Sequence, residues 1–365
     1  MSTNTITADI AREYLAGRIR LDEYDAIDDD AAEILVGYDG ILSLLGLRTI
    51  SDQAAITLAT HAELRLGPID NLGAEAIAAL ASQSSSFPFE DVGVLTTTVA
   101  EVAAQFNGEI GFRKLTQLRE EEAKILARHQ GTMTFRSLIS LEPAAARALM
   151  KHKGMLDIRR IHSVNADSAR LLVHTRRGYG SLELINVQEL GVEEAAILAQ
   201  FRGDLSLPYL TSLTEELAEA LSRVPGVLYL GDEVEIDVPI ARHLSKVGSG
   251  LMLGSPNLSD EVIHELSKSV YDLSLFGLTS LSIGAAEALS NHVGELFLDR
   301  LTSLSYEAAV LLSKHQGLVF LLNLKDDDSL SDATKDLLRS DPKFELSIEW
   351  TRDEDGGEDD DEGEL

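Results

Sequence analysis

The chain has 365 residues, with 31 Lys and Arg against 61 Asp and Glu, a formal charge of −30, and no cysteine. Without cysteine there is no disulfide framework, thiolate nucleophile, iron–sulfur cluster or cysteine zinc site. The charge argues against broad nucleic-acid binding, because phosphates are repelled before contact. The opening residues MSTNTITADIAREYLAG have no apolar core of signal-peptide length, and no segment approaches 18 apolar residues, so the expectation is a soluble, cytoplasmic protein with no membrane partner.

In chain order, residues 1–16 read as a capping helix, carried by the amphipathic stretch TITADIAREYLA. A repeat then runs through residues 17–350. Its anchor is a Leu, Ile or Val before a small polar residue: Ile27, Ile50, Leu72, Leu95, Leu118, Leu141, Val164, Leu190, Leu213, Ile236, Leu258, Leu281, Leu304 and Leu330. Every interval between anchors is 22 or 23 residues except the two of 26, before Leu190 and before Leu330. Such self-similarity dictates a stacked architecture, because no single unit can bury its apolar edge alone.

Each column has a physical reading. The residue after the anchor is Ser, Thr, Asp, Asn or Gly in all copies but those of Arg119 and Glu142, the residue types that cap helix N-termini. Acids that follow it (Asp52, Glu120, Glu193, Glu215, Asp260) suit the helix dipole, and Pro143 suits a first helical turn. Small or apolar residues stand four and five past the anchor, and leucine eight past it in every copy except Ala103, which marks one buried helical stripe. Glycine at position thirteen (Gly131, Gly154, Gly203, Gly294, Gly317) is read as the helix terminator. Beyond it the period drops to two, as in Leu205-x-Leu207, Leu228-x-Leu230, Leu251-x-Leu253, Leu273-x-Leu275 and Leu296-x-Leu298, which predicts a short strand.

The strings L-x-L-x-x-L-x-x-L, such as Leu296, Leu298, Leu301 and Leu304, resemble the leucine-rich repeat family, in particular its atypical Ala-rich bacterial members. The family's usual Asn or Cys is replaced by Leu115, Leu138, Ile161, Leu278 and Leu301. The resemblance implies an α/β solenoid of about 14 strand–helix repeats of ~23 residues, parallel sheet on the inner face and helices outside, with protein binding as the usual activity. At roughly 4.8 Å per strand the strand wall would be about 65 Å long.

At the far end Phe344, Leu346, Ile348 and Trp350 alternate as a last edge strand, and residues 351–365, with nine acids and one arginine, read as a disordered tail. Charge is uneven: residues 1–112 carry 5 bases and 18 acids, residues 113–177 carry 14 and 6, and residues 178–351 carry 11 and 28. Within the basic stretch Arg113, Arg136 and Arg159 recur one repeat apart just past the strands, with Lys114 and Arg160 beside them and Arg176 and Arg177 in an insertion. Two readings stand: a docking site for an acidic surface or phosphate, or cations that offset acids in flanking repeats.

A second candidate surface lies further along. The outward slot between the strand leucines holds Tyr229, Met252, Phe297 and Phe320, with Tyr209 and Phe276 close by, where the central copies hold Gly111, Thr134 and Asp157. Large apolar side chains on an open wall mark a contact surface, unless a loop or cap covers them.

His61, His129, His152, His292 and His315 share the column eleven past the anchor, which elsewhere holds Phe106, Phe201, Val224 and Val247. That makes it a half-buried packing slot, not a metal site. Gly178-Tyr179-Gly180 lacks the rest of a dinucleotide fingerprint, and Asp28–Asp30 and Asp326–Asp328 lack the spacing of a calcium loop. No cofactor is expected. The sequence therefore points to a non-enzymatic scaffold or regulator, monomeric alone or in a hetero-complex, that recognises a partner protein through its inner face. The alternative is a protein tied to nucleic acids, as a DNA mimic or through local phosphate binding at the arginine ladder.

Overall fold

A computed structural model describes residues 4–66, 72–83, 92–106, 108–175, 180–327 and 329–347. The chain forms two compact units, residues 1–175 and 176–365. Both are built from the same short strand and short helix, alternating along the chain in parallel sheets, which is the α/β leucine-rich-repeat-like solenoid fold.

The second unit carries one parallel sheet of eight strands stacked in chain order: Ser181–Glu183, Asp204–Leu207, Val227–Leu230, Gly250–Leu253, Asp272–Ser274, Leu296–Phe297, Val319–Leu321 and Phe344–Leu346. The register is one repeat per strand. Leu182, Leu205, Leu228, Leu251, Leu273, Leu296, Val319 and Phe344 align as a single buried row. The expected last strand is present at Phe344–Leu346, while Ile348, Trp350 and the acidic tail lie outside the described residues. The first unit has a three-stranded sheet at Ile110–Phe112, Met133–Phe135 and Leu156–Asp157, a pair at Leu42–Leu44 and Leu64–Leu66, and a third sheet at Thr5–Ile6, Ala26–Ile27 and Thr49–Ile50.

In this third sheet the N-terminal residues follow the same strand–helix pattern as the repeats. Ile6 pairs with Ile27 as a further anchor, and Thr7 takes the N-cap place before the helix Ala8–Leu15. The Ala8–Leu15 helix buries Ala11, five past that anchor, in the column where later copies place Ala32 and Ala55.

The cap column behaves as its chemistry requires. Asp28, Ser51, Thr96, Thr214, Asp237, Ser259, Ser282, Ser305 and Ser331 each accept a bond from the backbone N–H three residues on. Asn165 does the same for Ser168. The two exceptional copies differ: Arg119 and Glu142 make no such bond. Arg119 instead pairs with Glu122, a carboxylate standing in the small-residue column with only 1% exposure. Two departures from the repeat thus answer each other, since a buried carboxylate needs a cation.

The glycine column has a different role from the expected one. Most helices are seven residues long and stop at the leucine eight past the anchor, as in Glu120–Leu126 and Pro143–Leu149. The backbone N–H of His129, His152, His292 and His315 bonds to that leucine's carbonyl and closes the turn. Glycine comes two residues later and packs against the equivalent turn of the preceding repeat. A Cβ on Gly154 would lie 2.0 Å from the Gly131 carbonyl oxygen, and one on Gly203 would lie 1.8 Å from that of Gly180. The column keeps successive backbones close enough to pair. Where the family would place asparagine, Leu115, Leu138, Ile161, Leu278 and Leu301 are buried. Turn-to-turn bonds there use main chain and threonine instead: the N–H and Oγ1 of Thr302 both donate to the Thr279 carbonyl, and those of Thr211 to Gln188.

Substituting Gly203→Ala should cost about 1–3 kcal/mol, the usual range for overpacking. Gly93→Ala, whose Cβ meets nothing within 4 Å, should be close to neutral. Urea unfolding of the two variants tests the packing column, and equal stability of the two would contradict it.

Candidate functional site: an aromatic strand face

Alternation in most strands buries the two flanking residues and turns the middle one outward, although Ser274, in that middle place, is only 6% exposed. In the second unit the outward residues align, strand by strand, as Glu183, Ser206, Tyr229, Met252, Ser274, Phe297, Phe320 and Glu345. Four of the sequence-derived site residues therefore share one row. Met252 is 36% exposed, and Tyr229, Phe297 and Phe320 are half-buried.

Side-by-side rings account for the partial burial. Phe297 and Phe320 stack at 4.4 Å between centroids, with planes 6° apart. Tyr229 stacks on Phe276 at 5.2 Å and 15°, although their repeats are not adjacent. Glycine makes that contact possible: a Cβ on Gly254, in the intervening repeat, would approach the Phe276 ring to 3.0 Å. Phe276 itself stands two residues past its strand's outward position, and the slot of its repeat is held by Ser274. Tyr209 is the most open member, at 56% exposure. Burial, then the nearby Asp232 carboxylate and Tyr209, push the Tyr229 phenol above its ordinary value. Burial also raises the Asp299 carboxyl, opposed by the bond it accepts from the Leu322 backbone N–H.

The basic candidates Arg113, Arg136, Arg159 and Arg160 lie in the first unit, where Gly111, Thr134 and Asp157 occupy the outward slot in register. Arg113, Arg136 and Arg159 follow two residues later, so the spacing puts them at equivalent places on successive strands. Their surroundings differ. Arg159 is half-buried and makes a two-pronged pair with Asp157 at 2.9 and 2.8 Å, and its charge is met within its own repeat. Arg136 and Arg160 are exposed. Arg128 pairs with Glu101, and Arg147 and Arg170 both reach Asp167, so these three cations are met by nearby acids. Arg176 and Arg177 lie outside the described residues.

The histidine column is more deeply buried than its sequence suggests. His129, His292 and His315 have no exposed surface, and His61 and His152 have 7% or less. His129 stacks on His152 at 6.1 Å and His292 on His315 at 5.8 Å. The glycine-tight turns draw successive columns together until imidazole meets imidazole. His315 Nε2 lies 2.8 Å from the Gly294 carbonyl, and His292 Nδ1 3.2 Å from that of Ser267. Burial holds all four below the ordinary imidazole value, reinforced at His129 by His152 and opposed by backbone hydrogen bonds. Among the described residues no three His, Asp or Glu side chains converge on a metal position. No helix among them is long and apolar enough to cross a membrane.

What this geometry defines is a repeat scaffold that presents a row of stacked rings on its strand face. Among solved structures, the chain is similar to an LRR protein of Leptospira interrogans, at 17% identity over 84% of this chain and 91% of that one, with a TM-score of 0.35. It is also similar to an internalin of Listeria monocytogenes, at 13% identity over 93% and 94% of the two chains, TM-score 0.42. A chain of the Drosophila Toll–Spatzle complex matches at 13% identity over 88% of this chain and 43% of its own length, TM-score 0.29. No protein-family model and no curated protein matches the chain.

The buried histidines set a pH dependence. Their folded pKa values lie below the unfolded value of about 6.5, so the unfolded chain binds protons more readily. The stability of the neutral form is complete above that value and is lost as pH falls through the folded values. Thermal unfolding should therefore shift down between about pH 7 and about pH 5, before carboxylates titrate. Replacing His129, His152, His292 and His315 by Phe, the residue that Phe106 and Phe201 supply in this column, should flatten that shift. An unchanged shift would assign it to other groups.

Proposed function

We propose that the protein is a non-enzymatic scaffold that binds a partner protein through the strand face of residues 176–365. The observation that carries this reading is the outward row itself. A soluble repeat needs only small or polar residues there, as Gly111 and Thr134 show in the first unit, yet the second unit places Tyr229 beside Met252 and Phe297 beside Phe320, two neighbouring pairs separated by the strand of Ser274. Aromatic rings bury large areas at small entropic cost and dominate protein interfaces. Pre-stacking lowers that cost further, because Phe297, Phe320, Tyr229 and Phe276 are already ordered before a partner arrives.

In this reading the partner is sequestered, recruited or inhibited by occupation of the face, and the chain supplies surface rather than chemistry. The arginines Arg113, Arg136 and Arg160 form a second, smaller candidate contact in the first unit, for an acidic group. Pairing of Arg159 with Asp157 reduces the charge that contact can offer.

Affinity capture from the native host, run in parallel on the wild-type chain and a Phe276→Ser/Phe297→Ser variant, tests the proposal. A partner retained by the wild type should lose about 2–4 kcal/mol of binding in the variant, as interface anchors do. A partner held equally by both chains, with circular dichroism showing both folded, would overturn the assignment of the face.

A further inference from the structure

The aromatic row is bounded by carboxylates. Glu183 and Glu345 occupy its two end positions, on the first and last strands of the eight-stranded sheet. Asp232 stands three residues past Tyr229 and is exposed, and Asp299 stands two past Phe297. Asp232 is close enough to Tyr229 and Asp299 sufficiently buried to leave their marks on the titration of the face. None of the four carboxylates forms an ion pair with a described residue, and Arg300, next to Asp299, is not paired with it. No Lys or Arg stands in the row.

A surface that buries apolar rings between unpaired acids costs free energy when covered, unless the covering group brings cations. That requirement selects the occupant. The chain's own segment 351–365 has nine acids and one arginine, and a second copy brings a formal charge of −30, so both carry the wrong sign. The spacing narrows the choice further. Adjoining strands advance about 4.8 Å, near the 5.4 Å pitch of an α-helix and well short of the ~6.7 Å between same-face residues of an extended strand. An apolar helical stripe thus meets one strand per turn. Seven steps span roughly 34 Å, the length of a helix of about 22 residues.

We infer that the occupant of this face is a basic amphipathic helix of a partner protein, its apolar stripe on Tyr229, Met252, Phe297 and Phe320 and its lysines or arginines against Glu183, Asp232, Asp299 and Glu345. The inference rests on the protein-binding reading of the same face and adds the chemistry and conformation of what binds. Steering follows as well: a cationic segment approaches an acidic unit faster than a neutral one does, and added salt slows it.

The test uses three labelled peptides of about 22 residues with one shared Leu/Phe helical stripe, flanked by Lys, Gln or Glu, titrated against the full chain by fluorescence anisotropy. The Lys peptide should bind about tenfold more tightly than the Gln peptide, and the Glu peptide should not bind. In a Glu183→Gln/Asp232→Asn/Asp299→Asn/Glu345→Gln chain the Lys advantage should fall to about threefold or less. In a Phe297→Ser/Phe320→Ser chain both Lys and Gln peptides should be lost; Met252→Ser, at an exposed position, serves if that chain does not fold. Equal binding of Lys and Gln peptides, both lost in the Phe variant, overturns the basic-helix inference and leaves the protein-binding face standing. A Lys preference that survives the carboxamide changes also overturns it, by assigning attraction to diffuse charge. Lys-peptide binding that survives loss of the rings overturns the face itself, and no binding by any peptide overturns the helix inference.

Discussion

Everything in this molecule depends on the register of the parallel backbone ladder. In the second unit each strand pairs with the next at one repeat's offset, so the first leucine of each pair forms one buried row. A slip of one residue would turn the leucines of a strand outward and its ring inward, exchanging core for surface in one move. Burial of each leucine contributes about 1.5–3 kcal/mol, which makes the correct register cooperative across the stack. The outward row of aromatic residues is the other face of that constraint: the register that seals the core is what brings Tyr229, Met252, Phe297 and Phe320 onto one line.

The ladder needs close backbones, and the rest of each repeat serves that need. Small residues in the helix stripe, such as Ala285, Ala286, Ala308 and Ala309, are fully or nearly fully buried and let neighbouring helices approach. Glycines at the turns remove the Cβ atoms that would strike the preceding carbonyl. Cap residues hold the helix starts, and some also reach sideways to the preceding repeat: Ser51 donates to Asp29, Ser282 to Asp260, and Asn165 Nδ2 to the Leu141 carbonyl. Stacked imidazoles fill the gap below the turns, where a neutral ring packs like phenylalanine, and His292 and His315 also meet a carbonyl.

Much of this is legible in the sequence because it is periodic. Anchor, cap, helix stripe and Leu-x-Leu strand each repeat at a fixed interval, and each has one local physical meaning, so the fold and the outward row follow directly. Features that depend on the distance between repeats are not legible in the same way. The glycine column looks like a helix terminator until neighbouring backbones are seen to touch. The histidines look half-buried for the same reason. The Tyr229–Phe276 stack joins non-adjacent repeats across Gly254, a contact for which the only sequence signal is a glycine after Leu253. Asp157 hides its pairing with Arg159 because a partner two residues away breaks no repeat pattern.

The central claim is that the row from Tyr229 to Phe320 is a surface for a partner and not an ornament of the sheet. Hydroxyl-radical footprinting of the chain with and without its captured partner tests it most directly. Tyr209, Tyr229, Met252, Phe276, Phe297 and Phe320 should all lose reactivity on binding, while Tyr271 and Tyr306, exposed away from the row, should keep theirs. Protection of Tyr271 or Tyr306 with the row still reactive would contradict the account.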